Sequence, residues 1–245
     1  MNTSFALALE WLFPSRCAVC GTMLVDRKSA WYSLCGNCRR AFALEREDRC
    51  GLCGRPLISE TGFCLSCRGA SGEEGAAGKL PSYDRLISLF PYTGTYLKLL
   101  GAFKFGKSLG AGRFLAEKLK EALDILMPET PEATALVPVP PRPGKIRKNG
   151  WDQIEWLARI LEQERNTGLP VRRCLKRSAS ETQKKLDREK RLANLKGRIS
   201  ASGRVPETAV LFDDVITTGS TMEACAGALK AAGTRRVYGI CLFYD

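Results

Sequence analysis

Ala209-Val210-Leu211-Phe212-Asp213-Asp214-Val215-Ile216-Thr217-Thr218-Gly219-Ser220-Thr221 reads as a buried strand, an acidic pair, a loop of small residues and the start of a helix. Ala209 to Phe212 is apolar throughout, as in strands covered on both faces, and Asp213 and Asp214 stand where that run ends. The helix that follows runs from Thr221 to Ala232 and is stopped by Gly233. A loop built from Thr217, Thr218, Gly219, Ser220 and Thr221 lets the backbone close around a phosphate, with N–H groups and the positive helix end directed at it. The acidic pair would repel that phosphate and suits instead the 2′ and 3′ hydroxyls of an attached ribose. The competing reading is an ordinary strand–turn–helix whose Thr and Ser merely cap the helix. Strand, acid pair, hydroxyl-glycine loop and helix in that order favour the phosphate site.

Working outward, strand-like runs alternate with amphipathic helical ones. Leu86 to Tyr92 is a strand, followed by helices over Tyr96 to Phe103 and Arg113 to Leu126 and a strand over Ala135 to Val139. A helix over Gln153 to Glu164, a short strand over Val171 to Cys174, a charged helical stretch over Thr182 to Leu195 and a last strand over Val237 to Phe243 complete the pattern. The alternation predicts an α/β fold, a parallel sheet flanked by helices, with ligands at the carboxyl ends of its strands. Arg68 to Pro81, rich in Gly, Ala, Ser and Glu, reads as a linker between residues 1–75 and 76–245. Phe5 to Phe13 is apolar but contains Glu10, lacks a basic leader and is too short to span a bilayer, so it predicts a docking helix and no membrane span.

Eight of the eleven cysteines form four CxxC pairs: Cys17 and Cys20, Cys35 and Cys38, Cys50 and Cys53, Cys64 and Cys67. Two such knuckles supply four thiolates to one tetrahedral zinc, so the set predicts two structural four-cysteine zinc sites in a small ribbon domain that needs metal to fold. Sequential and interleaved pairing both remain open. Gly21, Gly51 and Gly54 suit the tight turns at the knuckles. A redox role lacks a thioredoxin-like setting. Cys174, Cys225 and Cys241 read as core packing.

The formal net charge is +12; two four-thiolate zinc sites, each about −2, reduce it to about +8. Residues 142–198 carry 17 basic and 7 acidic side chains, which is where an anionic partner is expected. For Arg142, Lys145, Arg147 and Lys148 the alternative is a solvated basic turn, but their place just after a buried strand favours function.

The signature at Asp213 to Thr221 resembles the phosphoribosyl pyrophosphate motif of type I phosphoribosyltransferases. Val137-Pro138-Val139-Pro140, the basic loop leading to Gly150-Trp151-Asp152-Gln153, and the pattern Gln183, Leu186, Arg191 and Asn194 narrow it to the ComF family of competence-associated, phosphoribosyltransferase-like proteins. Lys104 within Phe103-Lys104-Phe105 matches a lysine common in that family, and with the paired CxxC ribbons the resemblance covers nearly the whole chain. It implies that Asp213 and Asp214 hold the ribose as the catalytic pair, and that Thr217 to Thr221 hold the 5-phosphate. It further implies that magnesium bridges the pyrophosphate and the ribose hydroxyls, with Arg142, Lys145, Arg147 and Lys148 around the pyrophosphate and Lys104 also at the ligand. The segment from Gln183 to Asn194 is implied to close over the ligand, against a charged surface helix on spacing alone. One departure is Asn149-Gly150-Trp151-Asp152-Gln153 in place of the family's Arg-Gly-Phe-Asn-Gln, which removes an arginine and adds a carboxylate near the pyrophosphate loop.

Three functions compete. One is a magnesium-dependent, pentosyl-transferring enzyme of unidentified acceptor. The family resemblance implies the second, a cytoplasmic protein that binds phosphoribosyl pyrophosphate and handles single-stranded DNA beside the DNA-uptake machinery, with Trp151 and Tyr92 as candidate stacking residues. The third is a structural adaptor, against which the intact acid pair and hydroxyl loop argue.

Overall fold

The computed structural model describes residues 15–44, 48–68, 81–127, 133–164, 167–178 and 198–245. The expected helix over Phe5 to Phe13, the segment containing Gln183, Leu186, Arg191 and Asn194, and most of the linker lie outside them. Along the chain come helices α1 (Arg27–Tyr32), α2 (Gly36–Ala41) and α3 (Leu65–Arg68), then strand β1 (Arg85–Pro91), α4 (Gly94–Lys104) and α5 (Leu109–Leu126). Next are β2 (Thr134–Pro138), α6 (Lys145–Asn149), α7 (Gln153–Glu164), β3 (Leu175–Arg177) and β4 (Ile199–Ala201). The last elements are β5 (Thr208–Ile216), α8 (Ser220–Ala231) and β6 (Arg236–Tyr244).

Four strands form a parallel sheet in the order β1-β6-β5-β2, preceded by the cysteine-rich region, which is the α/β architecture expected from the alternating pattern. The central strands β5 and β6 bury their apolar runs on both faces. One face carries α4, α5 and α7 over Ile87, Leu136, Val210, Phe212 and Ile240. The other carries α8 and the antiparallel β3–β4 pair over Val137, Leu211, Val237 and Cys241. Val171 to Cys174 is not a strand of the sheet: it touches β2 through the single bridge Leu136–Val171, and the paired segment β3 begins after it.

β5 runs farther than its apolar core suggests. Val215 and Ile216 keep the alternation going and stay paired to β6, with Asp213 opposite Cys241 and Ile216 opposite Tyr244. Asp213 and Asp214 therefore lie within the last turn of the pleat rather than after it. Successive strand residues face opposite sides: Asp213 shares its side with Leu211 and Asp214 with Phe212.

The cysteine-rich region packs into the sheet at two places. Phe42, fully buried, meets Phe90 and Tyr96 edge-on at 5.2 and 5.1 Å and Phe114 at 5.8 Å, so Leu34, Phe42 and Cys38 belong to the same apolar cluster as β1, α4 and α5. The second half lies along β1: Ser88 N–H donates to the Gly54 carbonyl at 3.1 Å, Ser88 Oγ to the Cys53 carbonyl at 2.7 Å, and Tyr83 Oη to the Leu52 carbonyl at 2.8 Å. A Cβ on Gly54 would overlap the Leu86 carbonyl, and φ of +67° there also favours glycine.

Because Phe42 bridges ribbon and sheet, Phe42→Ala is expected to lower the unfolding free energy of the whole chain by about 3–5 kcal/mol. Chemical denaturation followed by far-ultraviolet circular dichroism reads this as a shifted midpoint; an unmoved sheet transition would show that the contact does not stabilise the sheet.

Candidate functional site

The two metal centres follow from a repeated turn. In the knuckles at Cys17 and Cys50, the N–H groups of Gly21 and Gly54 donate to the cysteine carbonyl at 2.9 Å, and both glycines take positive φ, +77° and +67°. Short bridges, Arg16–Met23 and Arg49–Pro56, close each loop. The sulfurs of Cys17, Cys20, Cys35 and Cys38 all lie within 4.8 Å of one another, as do those of Cys50, Cys53, Cys64 and Cys67. Pairing is therefore sequential. Four sulfurs about 2.3 Å from one zinc stand about 3.8 Å apart, and Cys20–Cys35 at 3.6 Å and Cys53–Cys64 at 3.7 Å fit that tetrahedron. Hydrogen bonding with Cys67 draws the Cys53 thiol down to about 4 and pushes Cys67 up. Four thiolates so close need a cation among them, and zinc supplies it.

The second cluster stands at the carboxyl ends of β5 and β2. Gly219, at φ +73°, turns the chain from β5 into α8 and forms its N-cap without a side-chain cap hydrogen bond. The hydroxyls of Thr218 and Ser220 bond to each other instead, at 2.8 Å. The Ser220 N–H reaches the Thr218 hydroxyl only at 3.5 Å, a long and weak cap. Apart from that long contact, the first amide donors of α8 are left for a partner, as orphan donors at a helix start are. Thr217 is exposed, Thr218 and Thr221 are half-buried, and Ser220 is buried.

Asp214, 8% exposed, is held from two sides. Lys104 Nζ, at the end of α4, lies 3.3 Å from its Oδ2, and Gln153 Nε2 donates to the same oxygen at 2.6 Å. Gln153 Oε1 in turn accepts from Lys145 Nζ at 2.6 Å, and Lys145 pairs with Asp152 Oδ2 at 2.6 Å. The other Asp152 oxygen accepts the N–H groups of Ile154 and Glu155 at 3.0 Å, capping α7. Asp152 thus does not stand free near the basic loop: it is 5% exposed and consumed by the cap and by Lys145. Lys145 is correspondingly turned inward, while Arg142, Arg147 and Lys148 are exposed and form no ion pair among the described residues.

Asp213 has no ion pair among the described residues. Burial and the charge of Asp214 push its carboxyl well above the ordinary range. Arg177 on β3 shares this neighbourhood: burial and the nearby charge of Arg142 lower its guanidinium pKa, and Asp213 partly offsets that. Buried Cys225 and Cys241 have thiols pushed up by burial and by Asp213, in keeping with core packing. Lys104, Lys145, Gln153, Asp152 and Asp214 thus form one connected network, with Asp213 on the opposite face. The sequence singled out neither Asp152 nor Gln153 as a site residue, and Arg177 not at all. Trp151 packs against Phe103 and Trp156 at 6.0 and 5.2 Å and serves the core.

Residues 8–68 match the family of the double zinc ribbon domain. Competence protein F of Haemophilus influenzae is 27% identical over 92% of this chain and 95% of its own length. DNA utilization protein YhgH is 27% identical in Salmonella typhi and 26% in Escherichia coli K12, in each case over 85% of this chain and 96% of the relative. The chain thus carries a double zinc ribbon and is similar over most of its length to Competence protein F and to DNA utilization protein YhgH. Like the expected ComF-type chain, it carries both four-cysteine sites ahead of its parallel sheet. Among its described residues no helix is long and apolar enough to cross a membrane.

Two outcomes follow for these sites. Metal analysis should return two zinc ions per chain and about one for Cys53→Ser; retention of both would break the assignment of Cys53. Asp213, with its raised pKa, costs stability progressively as pH climbs above about 4 and through that raised value. Asp213→Asn should therefore raise the melting temperature at pH 8 and leave it nearly unchanged at pH 4. A loss of stability at pH 8 would contradict the strain assigned to this carboxylate.

Proposed function

We propose that the chain binds a ribose 5-phosphate, as phosphoribosyl pyrophosphate with magnesium, and serves DNA uptake in the cytoplasm by handling single-stranded DNA on its basic face. The observation that carries the first half is the weakly capped start of α8, just after a strand that carries two carboxylates near its end, Asp214 held by Lys104 and Gln153. In this reading the amides of Gly219, Ser220 and Thr221 and the hydroxyls of Thr217, Thr218 and Ser220 take the 5-phosphate. Asp213 and Asp214 accept hydrogen bonds from the ribose hydroxyls. Lys104 and Gln153 hold the Asp214 carboxylate in place, and Arg142, Arg147 and Lys148 face the pyrophosphate. Lys145 acts one step back by holding Gln153.

The donor set suits magnesium: Asp213 is a carboxylate with a like-charged neighbour and no cationic ion-pair partner among the described residues, and a cation nearby relieves it. When bound, magnesium neutralises the pyrophosphate and the charge it gains on leaving C1′. The acid pair beside the helix start would equally serve a second reading, a pentosyl transferase without a DNA role, with Arg142, Arg147 and Lys148 given to the pyrophosphate alone. There the C1′–oxygen bond breaks with its electron pair leaving on pyrophosphate, and a nucleophile's lone pair forms the new bond at C1′.

The DNA role is supported by the names of the relatives, Competence protein F and DNA utilization protein, and by those same exposed cations. We take residues 1–75 as the zinc ribbon unit and 76–245 as the phosphoribosyl-binding unit.

Calorimetric titration of phosphoribosyl pyrophosphate with magnesium into the zinc-loaded protein should give saturable binding, abolished by Asp213→Asn with Asp214→Asn. Binding with pyrophosphate release would favour the transferase, and no binding would overturn the reading. Affinity for single-stranded DNA should fall with salt, and changing Arg142, Arg147 and Lys148 together to Ala should flatten the log–log slope by up to about 2. A slope indifferent to that triple change would remove the DNA from this face.

A further inference from the structure

Two phenylalanines at the end of α4 have opposite fates. Phe103 is fully buried under α5 and Trp151, whereas Phe105 is 78% exposed. The turn that presents Phe105 is tightly tied: its N–H and that of Gly106 both donate to the Gly101 carbonyl, at 2.9 and 3.1 Å, and Ser108 N–H donates to the Ala102 carbonyl at 3.0 Å. A Cβ on Gly106 would stand 2.8 Å from the Ala102 oxygen, and Lys107 takes the left-handed φ of 51°. An exposed aromatic side chain is common on any surface; what distinguishes this one is its neighbour. Lys104 Nζ lies 5.9 Å from the Phe105 ring centroid and 3.3 Å from Asp214 Oδ2. Together those two distances cap the separation of ring and carboxylate at roughly the length of a nucleoside.

Orientation adds a second constraint. α8 packs on one face of the sheet and α4 on the other. A ligand whose ribose sits on Asp213 and Asp214 and whose 5-phosphate sits at the start of α8 directs its C1′ substituent away from α8, toward the α4 side. This step rests on the ribose 5-phosphate reading above. We infer that Phe105 is the stacking face for a flat heterocycle carried on C1′, so that the ligand class of this site includes nucleoside 5′-monophosphates. An amine or a bare C1′ substituent has no surface to offer the ring, whereas every nucleobase has a π-face, and the Lys104 ammonium beside the ring adds a cation to the platform.

The test compares ribose 5-phosphate with adenosine 5′-monophosphate by calorimetry on the full zinc-loaded chain. The wild type should bind the nucleotide about 5- to 150-fold more tightly, the range that stacking on one aromatic side chain gives. Phe105→Ala should lose that gain while keeping its affinity for ribose 5-phosphate, and Phe105→Trp should restore it. Because Phe105 is largely exposed, the alanine variant should fold as the wild type does. Equal affinities in the wild type, or a nucleotide preference that survives in Phe105→Ala, would overturn the stacking role and leave the phosphoribosyl site standing. Failure of ribose 5-phosphate itself to bind would overturn the site and this inference with it.

Discussion

Two adjacent carboxylates near the end of a buried strand repel each other, and much of the structure at the sheet's carboxyl edge is arranged around that repulsion. The strand pleat sends Asp213 and Asp214 to opposite faces, which separates their environments. On one face Asp214 is met by an ammonium and an amide, Lys104 and Gln153, each fixed by its own element. On the other Asp213 is left with a raised pKa and a partly buried arginine in its neighbourhood. Neutral residues at these positions would cost less. Such an arrangement fits a ligand that brings hydroxyl donors or a cation to the pair.

The same edge collects the remaining chemistry because of topology. Parallel strands place their carboxyl ends together, so the loop after β2, with its cations, and the loop after β5, with its weakly capped amides, open side by side. The zinc ribbons pack along β1 and against the helices above it. Their own core is small: in the second ribbon it amounts to Cys50, Leu57 and Cys64, with a few half-buried neighbours. A cluster of that size does not hold a fold without metal. Through Phe42 and the Gly54–Ser88 contact, the metal's stabilisation extends into β1 and the helices above it. The ribbons are therefore walls of the sheet's core as well as metal sites.

The sequence made the sheet legible because apolar strands, small-residue loops and a glycine stop are local signals. Where partners sit far apart along the chain, it was less informative. Val215 and Ile216 continue β5 because β6 runs beside them, and nothing near residue 214 announces that. Counting charges treated Lys145 as one of four equivalent cations, yet Asp152, seven residues on, turns it inward. The carboxylate that looked like an intrusion on the basic loop is a helix cap that binds its own lysine. Sequential pairing of the cysteine knuckles was one of two possibilities until the sulfurs were seen together. Trp151 resembles a stacking residue by type, but its ring is spent on Phe103 and Trp156, whereas the Phe105 ring lies 5.9 Å from the Lys104 ammonium that pairs with Asp214.

The central claim is that the weakly capped start of α8 holds a phosphate whose ribose rests on the acid pair. Its most direct test is to follow the backbone amide resonances of Gly219, Ser220 and Thr221 while ribose 5-phosphate is added to the zinc-loaded protein. The account predicts saturable shifts concentrated at these three amides, with smaller ones at Asp213, Asp214 and the Gln153 side chain. Saturation elsewhere with these amides unmoved, or no saturable change at all, would contradict it.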